Sequence, residues 1–241
     1  MKISVRHNRK LIWCAYLCIY LIIFLVMRCS QRKELGLEQM YTDLYLEGNV
    51  IGLYALVFCL FLIPLCSMWH MDIVAVRCSS VTSHMWLIIR QIFFRSVSFS
   101  MVLGIGSYFI IGTSVPDWWE KENVRYILIQ TLLQGIGWIE IGMLFVLIFS
   151  YTCNAVWTFL LDYIVFVLFN SSVFVPRMEN VAHYTRLYYM MFHIDVLSSV
   201  AEIVSVTAMN IVIILIMMAV LYRKTATDGM TLTLRYPEEE K

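Results

Sequence analysis

Apolar runs that are too long for the core of a soluble domain recur along the whole chain. A helix needs about 20 apolar residues to cross the hydrocarbon layer of a bilayer, because each residue adds about 1.5 Å. Six segments meet this requirement, at residues 11–27, 50–68, 92–112, 126–149, 151–169 and 203–222. Asp162 interrupts the fifth, and only Ser150 separates it from the fourth. The pattern predicts an all-α integral membrane protein with six transmembrane helices in a single domain, residues 1–241.

The positions of Lys and Arg predict the orientation of these helices. The first ten residues contain four basic residues and no acid, and the connection 69–95 contains three Arg residues against one acid, Asp72. The connections 28–49, 114–125 and 171–202 would lie on the other side, and each contains more acids than bases. Cytoplasmic connections retain positive charge. We therefore expect both termini in the cytoplasm and a multi-pass protein of the plasma membrane.

Two further segments are amphipathic and are not predicted to cross the membrane. Residues 69–91 are polar at their centre but carry enough apolar side chains to dock on a membrane surface or a partner, which predicts a cytoplasmic helix. In 181–201, an apolar stripe at helical spacing includes Met191, with Arg186, Tyr189 and His193 beside it. This second pattern predicts an outer helix that lies at the interface, or dips partly into the bilayer, before the sixth span.

The composition agrees with a membrane protein and excludes several functions. Hydrophobic residues make up 61% of the chain and charged residues 15%, whereas soluble domains carry about 25% charged residues. The sequence contains no phosphate-binding loop, zinc-protease pair or hydrolase elbow, so we assign no catalytic residue. No basic run with interleaved aromatics predicts a nucleic-acid partner. The seven cysteines contain no CxxC pair, so neither a disulfide framework nor a metal site is expected.

Polar residues inside the predicted spans are candidates for a translocation pathway. Glu140 and Asp162 lie near the middle of the fourth and fifth spans, where an ionisable group costs about 3 kcal/mol to insert. Asn210 in the sixth span is the third candidate. Glycines near Glu140 and the GIGS sequence at 104–107 favour close helix packing instead. The structural alternative is therefore a buried carboxyl that bonds to an amide across a helix interface, from Gln130, Gln134, Asn154 or Asn210.

The order of these features resembles that of the type 2 ABC transporter permeases. MKISVRHNRKLIW matches the elbow of that family, although it is very short, and DIVAVRCSSVTSHMWLIIRQ matches its cytoplasmic coupling helix. The arrangement of Arg77, Ser79, Ser80, Trp86 and Arg90 is similar to that of small permeases from Gram-positive bacteria, which are linked to antimicrobial-peptide export or immunity. The resemblance implies an ATPase-coupling set formed by Asp72, Arg77, Ser79, Ser80, His84, Trp86 and Arg90.

This resemblance implies the transmembrane subunit of an ABC exporter whose cargo is an amphipathic peptide or a lipid-like molecule. Its partners would be an ABC ATPase subunit, a second copy of the chain or a related permease, and membrane lipid. The chain itself would bind no cofactor, because ATP and Mg²⁺ would bind to the ATPase subunit. Two alternatives are an immunity protein that binds a peptide at the outer surface and an integral-membrane enzyme that acts on lipid or peptide.

Overall fold

The computed structural model describes residues 37–69, 81–112, 120–170, 191 and 200–235. The first predicted span, 11–27, lies outside the described residues, as does all of the segment 171–199 except Met191. The helices are α1 (Leu37–Leu44), α2 (Glu47–Asn49), a π-helix (Val50–Ala55), α3 (Leu56–Trp69), α4 (Val81–Gly112), α5 (Lys121–Thr152), α6 (Ala155–Asn170) and α7 (Val200–Arg235). The described residues contain no strand, which confirms the all-α prediction.

Within the described ranges, three helices are long and apolar enough to cross a membrane. They are Met85–Ile111 in α4, Asn123–Thr152 in α5 and Ile203–Thr227 in α7. Two shorter apolar helices, Val50–Cys66 and Ala155–Leu168, coincide with the predicted second and fifth spans. These lengths are consistent with a membrane protein, and the count of six spans stays a prediction.

The central helix of the bundle is α5, which packs against α3, α4, α6 and α7. Contacts between α4 and α5 show that the two run antiparallel: Gly104 lies against Thr131, and Ile92 lies against Gly142. An aromatic group formed by Phe58, Phe99 and Trp138 fills the middle of the bundle, with ring centroids 4.8 to 5.1 Å apart. Small residues on α4 and α5 let the backbones approach, as the glycines in the sequence predict.

The outer faces of the helices are apolar, which indicates their surroundings. On α7, Val204, Val212, Leu215 and Ile216 are each more than half exposed. Continuous apolar faces of this size rarely face water, because their burial in hydrocarbon or against protein is strongly favourable. The bundle therefore suits a lipid environment.

Two helix boundaries differ from those expected from hydropathy alone. α4 begins at Val81, so residues 81–91 of the predicted coupling segment continue directly into the third span as one helix. The turn between α5 and α6 lies at Cys153 and Asn154, later than the predicted separation at Ser150. Cys153 adopts a left-handed conformation with φ of 50°, and Asn154 Oδ1 accepts hydrogen bonds from the backbone N–H groups of Val156 and Trp157. These are ordinary devices for ending one helix and starting the next.

Candidate functional site

One end of the bundle presents exposed aromatic and basic side chains, and we call it the Trp86 end. It contains exposed Trp86 and Arg90 on α4, exposed Tyr151 on α5, and exposed Arg223 beside half-buried Lys224 on α7. The α4 part is amphipathic at helical spacing, because Met85, Ile88 and Ile92 are buried whereas Trp86 is 61% exposed and Arg90 is exposed. The buried side chains hold the helix in place, and the exposed ones form a surface that can receive a partner.

Contacts between three helices make the Trp86 end a single structural unit. The Thr225 hydroxyl on α7 lies 3.3 Å from the Met85 sulfur on α4 and is in contact with it. The Lys224 ammonium lies 5.2 Å from the centre of the Tyr151 ring on α5, at a distance suited to a cation–π interaction. A force applied to α4 at this end would therefore reach α5 and α7 as well.

A second link joins α4 to α3 one turn deeper in the bundle. Arg95 on α4 donates from Nη1 to the backbone carbonyl of Phe61. Its guanidinium also lies 5.2 Å from the centre of the Phe61 ring. Arg95 counted toward the basic charge of the inner connection in the sequence analysis, and the structure assigns it a contact between two helices.

Only part of the predicted ATPase-coupling set belongs to the described residues. Trp86 and Arg90 lie together on the exposed face of α4, four residues apart. The backbone of His84 belongs to the same helix, but its side chain is outside the described part. The remaining members, Asp72, Arg77, Ser79 and Ser80, lie outside the described residues. Their role stays a prediction.

Asp162 is fully buried on α6 and binds a neighbouring helix. The Cys59 thiol on α3 donates a hydrogen bond to Asp162 Oδ2 over 3.3 Å, and Oδ1 has no hydrogen-bond partner among the described residues. The amide partners suggested from the sequence are therefore wrong for this carboxyl, since the partner is a thiol. A thiol is a weak donor, so the carboxyl is only partly satisfied. Asp162 joins α3 to α6 at mid-bundle.

Glu140 and Asn210 occupy different environments from that of Asp162. Glu140 on α5 is half-buried, and its Oε2 is buried and accepts no hydrogen bond from the part of the chain that the structure describes. Asn210 on α7 donates to the Val206 carbonyl of its own helix over 2.8 Å. No hydrogen bond between described residues joins Glu140, Asp162 and Asn210 to one another. The three pathway candidates thus remain separate groups on three helices.

The outer segment reaches the middle of α5 through Met191. Met191 is fully buried, and its thioether fills the space beside Gly137, where a Cβ would overlap it. Gly137 lies three residues before Glu140, so the two share one face of α5. The other residues predicted for this outer helix interface, Arg186, Tyr189 and His193, lie outside the described residues.

The opposite end of the bundle is filled by tyrosines that the sequence analysis missed. Tyr41 and Tyr45 near the end of α1 are fully buried, and Tyr54 and Tyr126 pack beside them. We call these four residues the tyrosine cluster. Tyr45 shares a hydrogen bond of 2.7 Å with the Ser107 hydroxyl on α4, and Gln134 on α5 donates to the Tyr41 oxygen. The cluster seals α1 against α4 and α5.

Burial governs the ionisation of this cluster. Loss of solvation raises the pKa of Tyr45 to about 12, against a smaller opposing effect of hydrogen bonds from Ser107 and Gln134. Burial likewise raises the pKa of Tyr41 well above its ordinary value. Both phenols are therefore neutral at physiological pH, and they pack in the bundle as neutral, hydrogen-bonded side chains. A signal for them was present in the sequence, since Tyr41, Leu44 and Tyr45 follow the i, i+3, i+4 spacing of a helix face.

A comparison with family models, curated proteins and solved structures finds no match to this chain.

Proposed function

We propose that the chain is the transmembrane subunit of an ABC exporter and that its Trp86 end binds a separate ATPase subunit. The observation that carries this proposal is the exposed face of α4 with Trp86 and Arg90, supported from behind by buried Met85 and Ile88. Exposed Trp and Arg are the side chains that most often anchor protein interfaces. In this proposal the protein has six spans with both termini in the cytoplasm, and it works in a bacterial plasma membrane as two copies or with a related permease.

The length of α4 is suited to a helix that transmits movement from one end of the bundle to the other. Its 32 residues form a helix of about 48 Å, whereas the hydrocarbon layer is about 30 Å thick. The surplus would extend beyond the bilayer at the Trp86 end, where the ATPase would hold it. Because α4 is one continuous helix, movement at Trp86 would also displace its opposite end at Ser107.

Side-chain contacts provide a route from α4 to its neighbours. The Arg95 contact with Phe61 would carry movement to α3, and the hydrogen bond between Cys59 and Asp162 would carry it on to α6. The tyrosine cluster at the far end would have to separate before an amphipathic cargo could leave. ATP binding and hydrolysis in the partner would thus switch the outer end of the bundle between a closed and an open state.

Copurification of the ATPase tests this proposal. The chain would be purified in mild detergent from its native membranes, and the ATPase subunit would be identified by its Walker A peptide and by ATP hydrolysis. We expect Trp86→Ala and Arg90→Glu to release the ATPase. The matched control is Phe109→Ala, because Phe109 is 58% exposed on the far end of the same helix. The proposal fails if no ATPase accompanies the wild-type chain, or if all three variants retain it equally.

A further inference from the structure

A groove between α4 and α5 opens at the surface of the bundle near the tyrosine cluster. Its volume is about 240 Å³, and its lining is Met101, Gly104, Ile105, Tyr108, Val124, Ile127, Leu128 and Thr131. The floor is the contact between Gly104 and Thr131, where no space remains for even a Cβ. The walls are more exposed: Ile105 and Leu128 are 54% and 58% exposed. The groove is therefore apolar, and it lies on the exposed surface of the bundle.

The shape and position of this groove suit a single hydrocarbon chain. Residues 124 to 131 on the α5 wall cover about 10 Å along the helix. Both walls belong to helices that are long and apolar enough to cross a membrane, so hydrocarbon is the medium in contact with the opening. Thr131 is the principal polar side chain of the floor, and its hydroxyl already donates to the Ile127 carbonyl of its own helix. The groove thus offers an apolar ligand mainly dispersion contacts.

A basic residue directly follows the groove-lining residue Val124 on α5. Arg125 is exposed on α5, directly after Val124 and one turn before Leu128, and it makes no ion pair or hydrogen bond with a described residue. Arg125 ends the predicted outer connection 114–125 and directly precedes the predicted span 126–149, which places it at the level of the lipid headgroups. A lipid phosphate is the anion found at that depth, and the planar guanidinium binds phosphate through two parallel hydrogen bonds. Glu120 is exposed and lies just before the start of α5, four residues before Val124.

We propose that this groove is a binding site for an anionic phospholipid, with one acyl chain between α4 and α5 and the phosphate on Arg125. The apolar groove binds the acyl chain of a phospholipid whatever its headgroup. Arg125 adds selectivity for a headgroup with net negative charge. The site does not depend on an ATPase partner, so it can be tested separately from the proposed function.

Native mass spectrometry of the full chain in mild detergent tests the site, with phosphatidylglycerol and phosphatidylcholine of identical acyl chains as probes. We expect the chain to retain phosphatidylglycerol more strongly. Arg125→Gln should weaken retention of phosphatidylglycerol about tenfold, to the level of phosphatidylcholine, because the charge-assisted hydrogen bonds are lost. Leu128→Trp should reduce retention of both lipids, since the indole fills the groove.

Leu132→Trp is the matched control for the groove. Leu132 is 66% exposed one turn further along α5, and it does not line the groove. We expect this variant to retain both lipids like the wild type. Both tryptophan substitutions lie on exposed positions, so a monodisperse elution profile and an unchanged helical circular dichroism spectrum confirm that each variant folds. Equal retention of the two lipids by the wild type, or unchanged retention by Leu128→Trp, would overturn the proposal.

Discussion

The Cys59 thiol on α3 donates a hydrogen bond to the Asp162 carboxyl on α6 over 3.3 Å, in the fully buried middle of the bundle. The bond joins residues that are 103 positions apart in sequence. It also satisfies only one of the two carboxyl oxygens. Asp162 is therefore sensitive to the loss of its donor, since a buried polar atom without a partner is destabilising.

Removing that donor should destabilise the fold more than an equivalent change nearby. Cys59→Val leaves both carboxyl oxygens unpaired, and we expect a loss of about 1–3 kcal/mol of stability. Thermal unfolding in detergent measures the effect. Cys66→Val on the same helix is the control, because Cys66 is also a buried free thiol but makes no hydrogen bond to Asp162. The double variant Cys59→Val/Asp162→Leu should recover stability, since it removes both polar groups. Equal losses for Cys59→Val and Cys66→Val would refute the importance of this bond.

The crossing of α4 and α5 should tolerate a methyl group at one glycine and not at another. A Cβ at Gly104 overlaps the Thr131 side chain, whereas a Cβ at Gly135 would lie 3.7 Å from the Ser100 hydroxyl, at an ordinary contact distance. We expect Gly104→Ala to destabilise the protein by about 1–3 kcal/mol through overpacking. Gly135→Ala should be neutral or slightly stabilising, because alanine favours the helix. Thermal unfolding of both variants checks this order.

A compensating change tests whether the Thr131 contact is the cause. The double variant Gly104→Ala/Thr131→Ala makes room for the added methyl group, and it should unfold close to the wild-type temperature. If the second substitution restores nothing, the close approach of α4 and α5 at this point is not as described.

The tyrosine cluster should weaken at alkaline pH. Tyr45 has an ordinary pKa of 10.0, and burial raises the pKa to about 12 in the folded protein. The unfolded chain therefore loses the phenol proton first, so the stabilisation is complete below pH 10 and is lost as the pH rises toward 12. The slope for this residue approaches about 1.4 kcal/mol per pH unit.

Thermal unfolding measured as a function of pH detects this loss, with tyrosinate absorbance as the readout of ionisation. Tyr45→Phe cannot ionise, so it should flatten the decline while losing the Ser107 hydrogen bond at neutral pH. Tyr222→Phe is a control, because Tyr222 is exposed on α7. A decline between pH 10 and 12 that is the same in wild type and Tyr45→Phe would contradict the assignment.

Cys153 offers a test of the predicted orientation. It is exposed in the turn between α5 and α6, and the charge pattern predicts that this turn lies in the cytoplasm. A variant that retains Cys153 as its sole cysteine should react with a membrane-impermeant maleimide only after the cells are opened. A variant that retains only Cys29, which belongs to the predicted outer connection 28–49, should react in intact cells. The reverse pattern of labelling would invert the orientation.

Hydropathy predicted the helices that pack at the centre of the protein, because long apolar runs have one stable form in lipid. The predicted runs 92–112, 126–149 and 203–222 each lie within a helix that is long enough to span. Their ends were less predictable. Hydropathy does not register that α4 continues through polar residues to Val81, or that Asn154 caps α6, since both depend on local hydrogen bonds and packing.

The candidate site was only partly predictable for a different reason. The exposed face with Trp86 and Arg90 follows from helical spacing, which the sequence displays. The pairing of Cys59 with Asp162, and that of Tyr45 with Ser107, joins residues far apart in the chain. Such partners depend on how the helices pack. The helix α1 was not predicted either, because the acidic residues of the connection 28–49 suggested a loop. In the structure, Tyr41 and Tyr45 form the buried face of α1.

Photocrosslinking from position 86 tests most directly whether the Trp86 end binds an ATPase. A benzophenone amino acid would replace Trp86 in the full chain, and the same group at Phe109, on the far end of α4, would be the control. We expect a covalent adduct with a Walker A-containing ATPase from position 86 and none from position 109. An adduct with lipid alone from position 86, or equal ATPase adducts from both positions, would contradict this expectation.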